Sequence, residues 1–541
     1  MAQAWGYAVV GTAAVPVRVE AHVRPGLPGM TVVGLPGAAV REARERVRSG
    51  ASSSGLPLPT QRITVNLSPA DVRKESPGFD LPIALAVLAA SGHLPVDTLK
   101  RAGAVGELAL DGGVRPVKGM LPVAEAARDD GRDVLLVPVA ALPEVWAVEG
   151  IGFIGVASLR EAVLALRDPR CAARLCERGR RWVARRNRSA PPMSQCPDLI
   201  DVVGHARARR ALEIAAAGGH HALLVGTPGA GKTMLARRVP SILAPLSREE
   251  SLEVTRIWSV AGLHRPELGL VQTRPFRSPH HSASRAAVIG GGASPGPGEA
   301  SLAHRGVLFL DELPEFARDV LESLRQPLEE GDVTISRAGG SIRLPARFAL
   351  VAAMNPCPCG YSGHPERECR CTAEQIARYS GRLSGPLLDR IDVFVEVEPL
   401  TREDLDSMPS PPENSATVRA RVIAAQSFRR ERVGAEPHGA SVGTATAHDG
   451  PPQSSAAGED PSPVASREHP LRLEAESRLD RDARRLVRGA LARGLLGGRG
   501  FVRTLAVART LADLDASLDV GSGHVAEALT LRQIPWSWEG G

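Results

Sequence analysis

No stretch of this 541-residue sequence stays apolar for long enough to cross a bilayer. Its most apolar run, DLPIALAVLAASG from Asp80, is far short of the roughly 20 residues that a spanning helix needs. The opening MAQAWGYAVVG lacks the basic n-region and cleavage pattern of a secretory signal, so a cytoplasmic chain with no membrane partner is expected. Cysteine is scarce: seven residues, an odd number, four of them within CPCGYSGHPERECRC. That pattern excludes a secreted disulfide framework. No internal repeat stands out.

What is present is the composition of a soluble globular protein, with 43% hydrophobic residues and a mean hydropathy of -0.08. At about 100–200 residues per domain, the length predicts roughly three to four domains. The net charge of +6 is carried overwhelmingly by arginine and gives only general support for a polyanionic partner. One run, RDPRCAARLCERGRRWVARRNRS (Arg167 to Ser189), packs arginines around Trp182. Charge runs are usually solvated faces, so it reads as a basic helix linking two domains.

Composition shifts divide the chain at 1–165, a basic linker at 166–190, a strand–loop–helix core at 191–400, and the start of a further helical part at 401–433. A polar Gly/Pro/Ser-rich insertion at 434–470 has too little apolar surface to order itself, and a helical pattern returns over 471–541. In the first segment, β-branched strands alternate with Gly-Pro turns, and helical periodicity appears near Ala38–Ser49 and Asp80–Ser91.

The strongest chemical signal is LLVGTPGAGKTMLARRV. An apolar strand feeds Gly226, Thr227, Pro228, Gly229, Ala230, Gly231, Lys232 and Thr233, which open a helix. The glycines let backbone N–H groups close around phosphates, Lys232 reaches the β- and γ-phosphates of ATP, and the Thr233 hydroxyl ligates Mg2+. Downstream, GVLFLDELPEF reads as a buried parallel strand ending in Asp311 and Glu312. Asp311 is assigned to Mg2+ and Glu312 to polarising the attacking water. The strand in RFALVAAMNP ends at Asn355, whose amide is suited to the γ-phosphate or the lytic water, as sensor 1 is in AAA+ ATPases.

Arg390, just before the strand of SGPLLDRIDVFVEV, reads either as a buried hinge or as an arginine finger for a neighbouring subunit, which would require a ring. In GGRGFVRTLAVARTLADL, Arg499 and Arg503 lie four apart on one helix, and either could lean over the nucleotide as sensor 2; Arg499 is favoured.

These residues carry a resemblance. Residues 190 to 400 look like the magnesium-chelatase-like branch of AAA+ ATPases, and nearly the whole chain, the Gly434–Pro470 insertion apart, is similar to the ComM/YifB family. GLPGMTVVGLPGAAVREARERVRSG, ITVNLSPADVRKESPGFDLPIALA, RPFRSPHHSASRAAVIGGG, GEASLAHRGVLFLDELPEF, LRQPLEEGDVTISRAGG and AAMNPCPCG are the stretches concerned. The resemblance implies an α/β AAA+ P-loop core between an N-terminal Lon-protease-like α+β domain and a C-terminal helical lid. It also implies a homo-hexameric, ATP-driven helicase acting on single-stranded or branched DNA, promoting branch migration in natural transformation alongside recombination proteins. A MoxR-like remodeller of protein complexes and a magnesium-chelatase motor subunit are the alternatives.

EEGDVTISRAGGSIRLPARF reads as a β-hairpin with Arg337 at its tip and Arg343 on the return strand. By resemblance it enters the central pore, where such cations grip DNA phosphates, with an intersubunit or structural salt bridge as the competing reading. Arg274, Arg277, His280, His281 and Arg285 fall in a second pore-type insert, and the adjacent histidines are poorly spaced for one metal ion. The Lon resemblance does not extend to protease chemistry: the nucleophile position falls on Gly78 and its lysine partner on Leu121, although Ser76 and Lys118 lie nearby. Finally, Cys357, Cys359, Cys369 and Cys371 are enough for a closed structural zinc site. Reduced, partly buried thiols and a redox switch remain alternatives.

Overall fold

The computed structural model describes residues 1–189, 196–292, 296–337, 340–364, 366–399, 413–434 and 478–534. The insertion expected after Gly434 lies outside the described residues, as do 401–412, the hairpin-tip positions 338 and 339, and the side chain of Arg337. No helix among the described residues is long and apolar enough to cross a membrane.

The N-terminal part is built on a seven-stranded sheet. Its order is Gly29–Val33, Arg62–Ser68, Ala13–Arg24, Ala2–Val10, Ala102–Ala104, Val134–Pro138 and Gly152–Val156. The long antiparallel pair Ala2–Val10 and Ala13–Arg24 forms its centre, with parallel strands added outward on the far side. Both expected helices are present, as Ala38–Ser53 and Asp80–Ala90. The second is buried from Asp80 through Ala89, which explains why its sequence is apolar all round. The charge at its start is neutralised by Arg46, whose Nε donates to Asp80 Oδ2 at 2.6 Å, while the Leu108 amide donates to the same oxygen at 3.1 Å.

The basic run forms a helix, Pro169–Ser189. It does not stand free between domains. Leu175 and Val183 are buried against the N-terminal core, the Cys176 thiol donates to the Phe153 carbonyl at 3.4 Å, and Arg178 is bidentate on Glu161 at 2.7 Å per bond. The charged face covers an apolar one, as long basic side chains allow.

The second part carries a five-stranded, all-parallel sheet in the order Phe276–Arg277, Val307–Leu310, Ala349–Met354, Ala222–Gly226 and Val393–Val397. Every residue of Ala222–Gly226 and Val307–Leu310 is buried, as expected for strands covered on both faces by helices. The chain's first core strand therefore lies next to its fourth and fifth, so the loops at the carboxyl ends of the central strands converge, the usual place for a ligand in an open α/β sheet.

Helix Ser415–Gly434 packs on Ala206–Gly218, and with Arg481–Ala492, Gly498–Leu514 and Ser522–Leu531 it shares one hydrophobic cluster with the sheet: Val418, Val422, Leu505, Leu511 and Val525 join Leu212, Leu224 and Val395. The N-terminal part docks on helix Arg248–Ala261. Arg256 is bidentate on Glu125 at 2.8 and 2.7 Å, Arg248 pairs with Glu149 at 2.6 Å, and the Gly119 amide donates to the Ser259 carbonyl at 3.1 Å.

Candidate active site

The phosphate loop takes its shape from local backbone chemistry. Gly229 and Gly231 have φ of 82° and 86°, a region open to glycine and strained for other residues. Gly231 leads directly into helix Lys232–Ala236, so the helix N-terminus faces the loop. The Lys232 ammonium is folded inward, donating to the Gly226 and Thr227 carbonyls at 2.6 and 2.9 Å and to Asn355 Oδ1 at 3.0 Å. Burial lowers its pKa, opposed by the charges of Asp311 and Glu312. The Thr227 hydroxyl is buried and has no hydrogen-bond partner among the described residues. A buried orphan hydroxyl beside a lysine and a glycine-rich turn is the donor set that a polyphosphate satisfies.

The structure brings Thr233 and Asp311 together. The Thr233 hydroxyl donates to Asp311 Oδ2 at 2.6 Å, and Asp311 Oδ1 accepts from the Glu312 amide at 3.0 Å. Two hard oxygens, the Thr233 hydroxyl and the Asp311 carboxylate, are of the kind that suits Mg2+. Asn355, at the end of Ala349–Met354, lies beside Lys232 through the bond above, so the three central strands deliver Lys232, Asp311 and Asn355 to one edge.

Glu312 has φ of 53°. For a non-glycine residue this is strained backbone. Its Oε2 meets His281 Nδ1 at 3.1 Å. His281 lies tilted against His280, ring centroids 4.1 Å apart, and edge-on against Phe316. Reading the histidine pair as a pore-type insert did not anticipate this contact with Glu312. No spacing rule connects the two loops; only the adjacency of strands Phe276–Arg277 and Val307–Leu310 brings them together.

His205, also not singled out from the sequence, has φ of 55° and lies against the phosphate loop: a Cβ built on Gly231 would be 3.4 Å from its Nε2.

Arg390 is 4% exposed. Its guanidinium pairs with Glu329 and donates to the Pro386 carbonyl, while its Nε is buried with no partner among the described residues. Arg503 points inward, donating to the Arg390 carbonyl at 2.8 Å and to the Asp392 carboxylate. Arg499 is exposed, 3.9 Å from Asp389. Arg343 lies on the hairpin Asp332–Arg337 and Gly340–Pro345, and its Nε donates across the strands to Asp332 at 2.6 Å. In the neighbouring insert, Arg277 is bidentate on Glu299 at 2.6 and 2.7 Å, and Arg274 donates to the Arg305 carbonyl at 2.7 Å and to Glu250 at 3.1 Å.

At the positions where the Lon resemblance would place a nucleophile, Ser76 Oγ accepts from the Gly78 amide at 3.1 Å; two residues before Ser76, buried Lys74 donates to the Pro69 carbonyl. Lys118 lies across Gly262 of the second part.

A phosphate loop opening a helix beside an Asp-Glu strand and an Asn-tipped strand, all on one edge of a buried parallel sheet, defines a P-loop ATPase of the AAA+ kind. Comparison with known proteins narrows this. Profiles described as magnesium chelatase, subunit ChlI, match residues 198–405; subunit ChlI of Mg-chelatase, residues 19–141; and the ChlI C-terminal region, residues 412–532. YifB of Salmonella typhimurium is 41% identical over 533 residues, 97% of this chain and 96% of its own length. YifB of Escherichia coli is 42% identical over 530 residues, 97% and 96%. Competence protein ComM of Haemophilus influenzae is 40% identical over 538 residues, 99% and 98%. The chain belongs to the ComM/YifB family of magnesium-chelatase-like proteins.

Proposed function

We propose that this protein is a ring-forming, ATP-driven DNA motor, a homo-hexameric helicase that promotes branch migration in recombination. The observation that carries the reading is the convergence of Lys232, Thr233, Asp311, Glu312 and Asn355 at one sheet edge. The near full-length likeness to a protein named for competence supports a DNA substrate.

ATP is the substrate, and Mg2+ would be held by Thr233 and Asp311, where it supplies charge neutralisation on the phosphates. Lys232 binds the terminal phosphates through its ammonium, and Glu312 accepts the proton of the attacking water. Asn355 orients that water or the γ-phosphate, and its bond to Lys232 couples the two. Arg390 acts as a finger for the adjacent subunit once freed from Glu329, and Arg499, exposed on the helix Gly498–Leu514, is the sensor of the lid. Arg337 and Arg343 on the hairpin track DNA phosphates in the pore, and Cys357, Cys359, Cys369 and Cys371 carry a structural zinc. The N-terminal part, of Lon-like fold without protease chemistry, is a scaffold or DNA-handling module. Recombination proteins are the expected partners and the cytoplasm the expected location.

ATPase activity with and without single-stranded DNA, and migration of a four-way DNA junction, test the reading. Lys232→Ala is expected to lose nucleotide binding. Glu312→Gln is expected to keep binding while turnover falls by about 10²–10⁴-fold, the scale of a lost general base. Stimulation by DNA and ATP-dependent strand movement are expected of the wild type; an active ATPase indifferent to DNA would instead favour a remodeller of protein complexes. Analytical ultracentrifugation with nucleotide checks the hexamer.

A further inference from the structure

The four cysteines of the 357–371 loop converge although no disulfide joins them. Their sulfur atoms all lie within 4.8 Å of one another. Three of the edges measure 3.4 Å (Cys357 to Cys359), 3.6 Å (Cys357 to Cys369) and 3.6 Å (Cys359 to Cys369). A tetrahedron of sulfurs around an ion with bonds of about 2.3 Å has edges of about 3.8 Å. Backbone amides also point at the sulfurs: Ser362 N–H donates to Cys357 at 3.3 Å, Cys359 N–H to Cys371 at 3.4 Å, and Cys371 N–H to Cys369 at 3.5 Å. Neutral thiols gain little from such donors, whereas thiolates bound to a cation need them. An all-sulfur, closed, four-coordinate set selects a soft or borderline divalent ion such as zinc, and leaves no open position for catalysis.

Where the cluster sits gives it a further consequence. Between the first cysteine pair and the rest of the loop is Gly360, with φ of 85°. A Cβ built there would fall 2.6 Å from the ring of Pro228 in the phosphate loop and 3.8 Å from Asn355 Cγ. The cysteine turn therefore rests directly on the phosphate loop. On its upstream side is Asn355, bonded to Lys232 at 3.0 Å. On its downstream side Thr372 caps helix Ala373–Ser380, with its hydroxyl accepting from Gln375 N–H and its own amide bonded to the Gln375 side chain. Buried Tyr379 of that helix joins the hydrophobic cluster that includes Met354, Leu387 and Leu388.

We propose that Cys357, Cys359, Cys369 and Cys371 bind a zinc ion whose role is to brace Pro228 and Asn355, so that zinc occupancy sets nucleotide affinity at the neighbouring site. The coupling rests on the ATPase reading above; the metal site does not. Binding forms four metal–sulfur bonds and releases the thiol protons to solvent. Without the ion, four mutually close sulfurs separate, and the turn that carries Gly360 no longer holds Pro228.

The test uses the full chain purified without chelator. Zinc by elemental analysis is expected at about one per chain, and cobalt(II) exchanged into the protein is expected to give the visible and near-ultraviolet bands of a tetrahedral tetrathiolate. Cys369→Ser with Cys371→Ser is expected to lose the metal and to weaken binding of a fluorescent ATP analogue by about tenfold, the scale of one hydrogen bond to a charged group. Because that variant could fail by misfolding, Gly360→Ala is measured beside it: it keeps all four cysteines, and is expected to retain zinc and the cobalt spectrum while losing nucleotide affinity. A wild type without zinc and without tetrathiolate bands overturns the metal site. Zinc present with unchanged nucleotide affinity in both variants overturns the brace. Zinc present in a wild type that binds no nucleotide supports the metal site and overturns the brace together with the ATPase reading.

Discussion

At the scale of single residues, Glu312 combines a left-handed backbone with a side-chain partner from another loop. Its φ of 53° and its 3.1 Å contact with His281 orient the carboxylate. Both groups are partly exposed, 36% for His281 and 56% for Glu312, so the contact is worth more as orientation than as stability. His281→Ala is therefore expected to lower kcat by about tenfold with little change in the dissociation constant for ATP, and His281→Gln, which restores a donor, to recover part of the loss. Steady-state kinetics beside equilibrium binding separates these outcomes; an equal loss in both would mark His281 as a structural residue. The glycines, Lys232, Thr233, Asp311 and Glu312 were legible in the sequence because their chemistry depends on neighbours along the chain. His281 was not, because its partner lies on another strand's loop.

At the scale of elements, helix Gly498–Leu514 separates two arginines that spacing alone left equivalent. Arg503 faces the buried turn at Arg390–Asp392, and Arg499 faces solvent. Around Asp392 the structure gathers the Arg503 guanidinium, the His221 amide at 2.9 Å, and His220 at 3.8 Å, with His220 bonded in turn to Thr510 at 2.8 Å. This buried network ties the C-terminal helices to the turn that carries Arg390. Removing one partner of a buried ion pair typically costs about 3–5 kcal/mol because the other charge is left uncompensated. Arg503→Ala is thus expected to lower the melting temperature by several degrees, and more than Arg499→Ala, whose ion pair is exposed. Calorimetry on the two variants checks the order. The hairpin shows the same limit of sequence reading: its two strands follow from pattern, whereas their register and the Arg343–Asp332 pairing across it depend on the folded strands.

At the scale of the whole molecule, the N-terminal part is fastened to the ATPase part through a buried carboxylate. Glu144 Oε1 accepts from the Ser259 hydroxyl at 2.5 Å and from the Leu121 amide at 2.9 Å, beside the Arg256–Glu125 pair. Burial pushes its pKa from 4.5 up to about 7, against the pull of those two hydrogen bonds. The folded, docked state therefore holds its proton more tightly than the unfolded chain does. Its contribution is fully present below the unfolded value of 4.5 and is lost as pH rises toward about 7. Melting temperature is expected to carry a falling component between those values, and Glu144→Gln to remove it, which a pH series of melts on both proteins measures. A wild type and a variant with the same slope would show that Glu144 titrates as an ordinary surface acid.

The sequence by itself determined the chemistry that short stretches encode: the phosphate loop, the Asp-Glu strand, Asn355 at a strand tip, the four clustered cysteines and the family. These depend on backbone conformation and residue type over a few positions, so they survive without knowledge of the fold. Tertiary structure alone decided which way each charged side chain turns. It placed the basic helix Pro169–Ser189 on the N-terminal core rather than free between domains, set Arg503 rather than Arg499 against Arg390, brought His281 to Glu312, and seated the cysteine turn on Pro228. Burial, long-range pairing and the orientation of helices settle such choices, and none of them has a period or a spacing that a single chain can reveal.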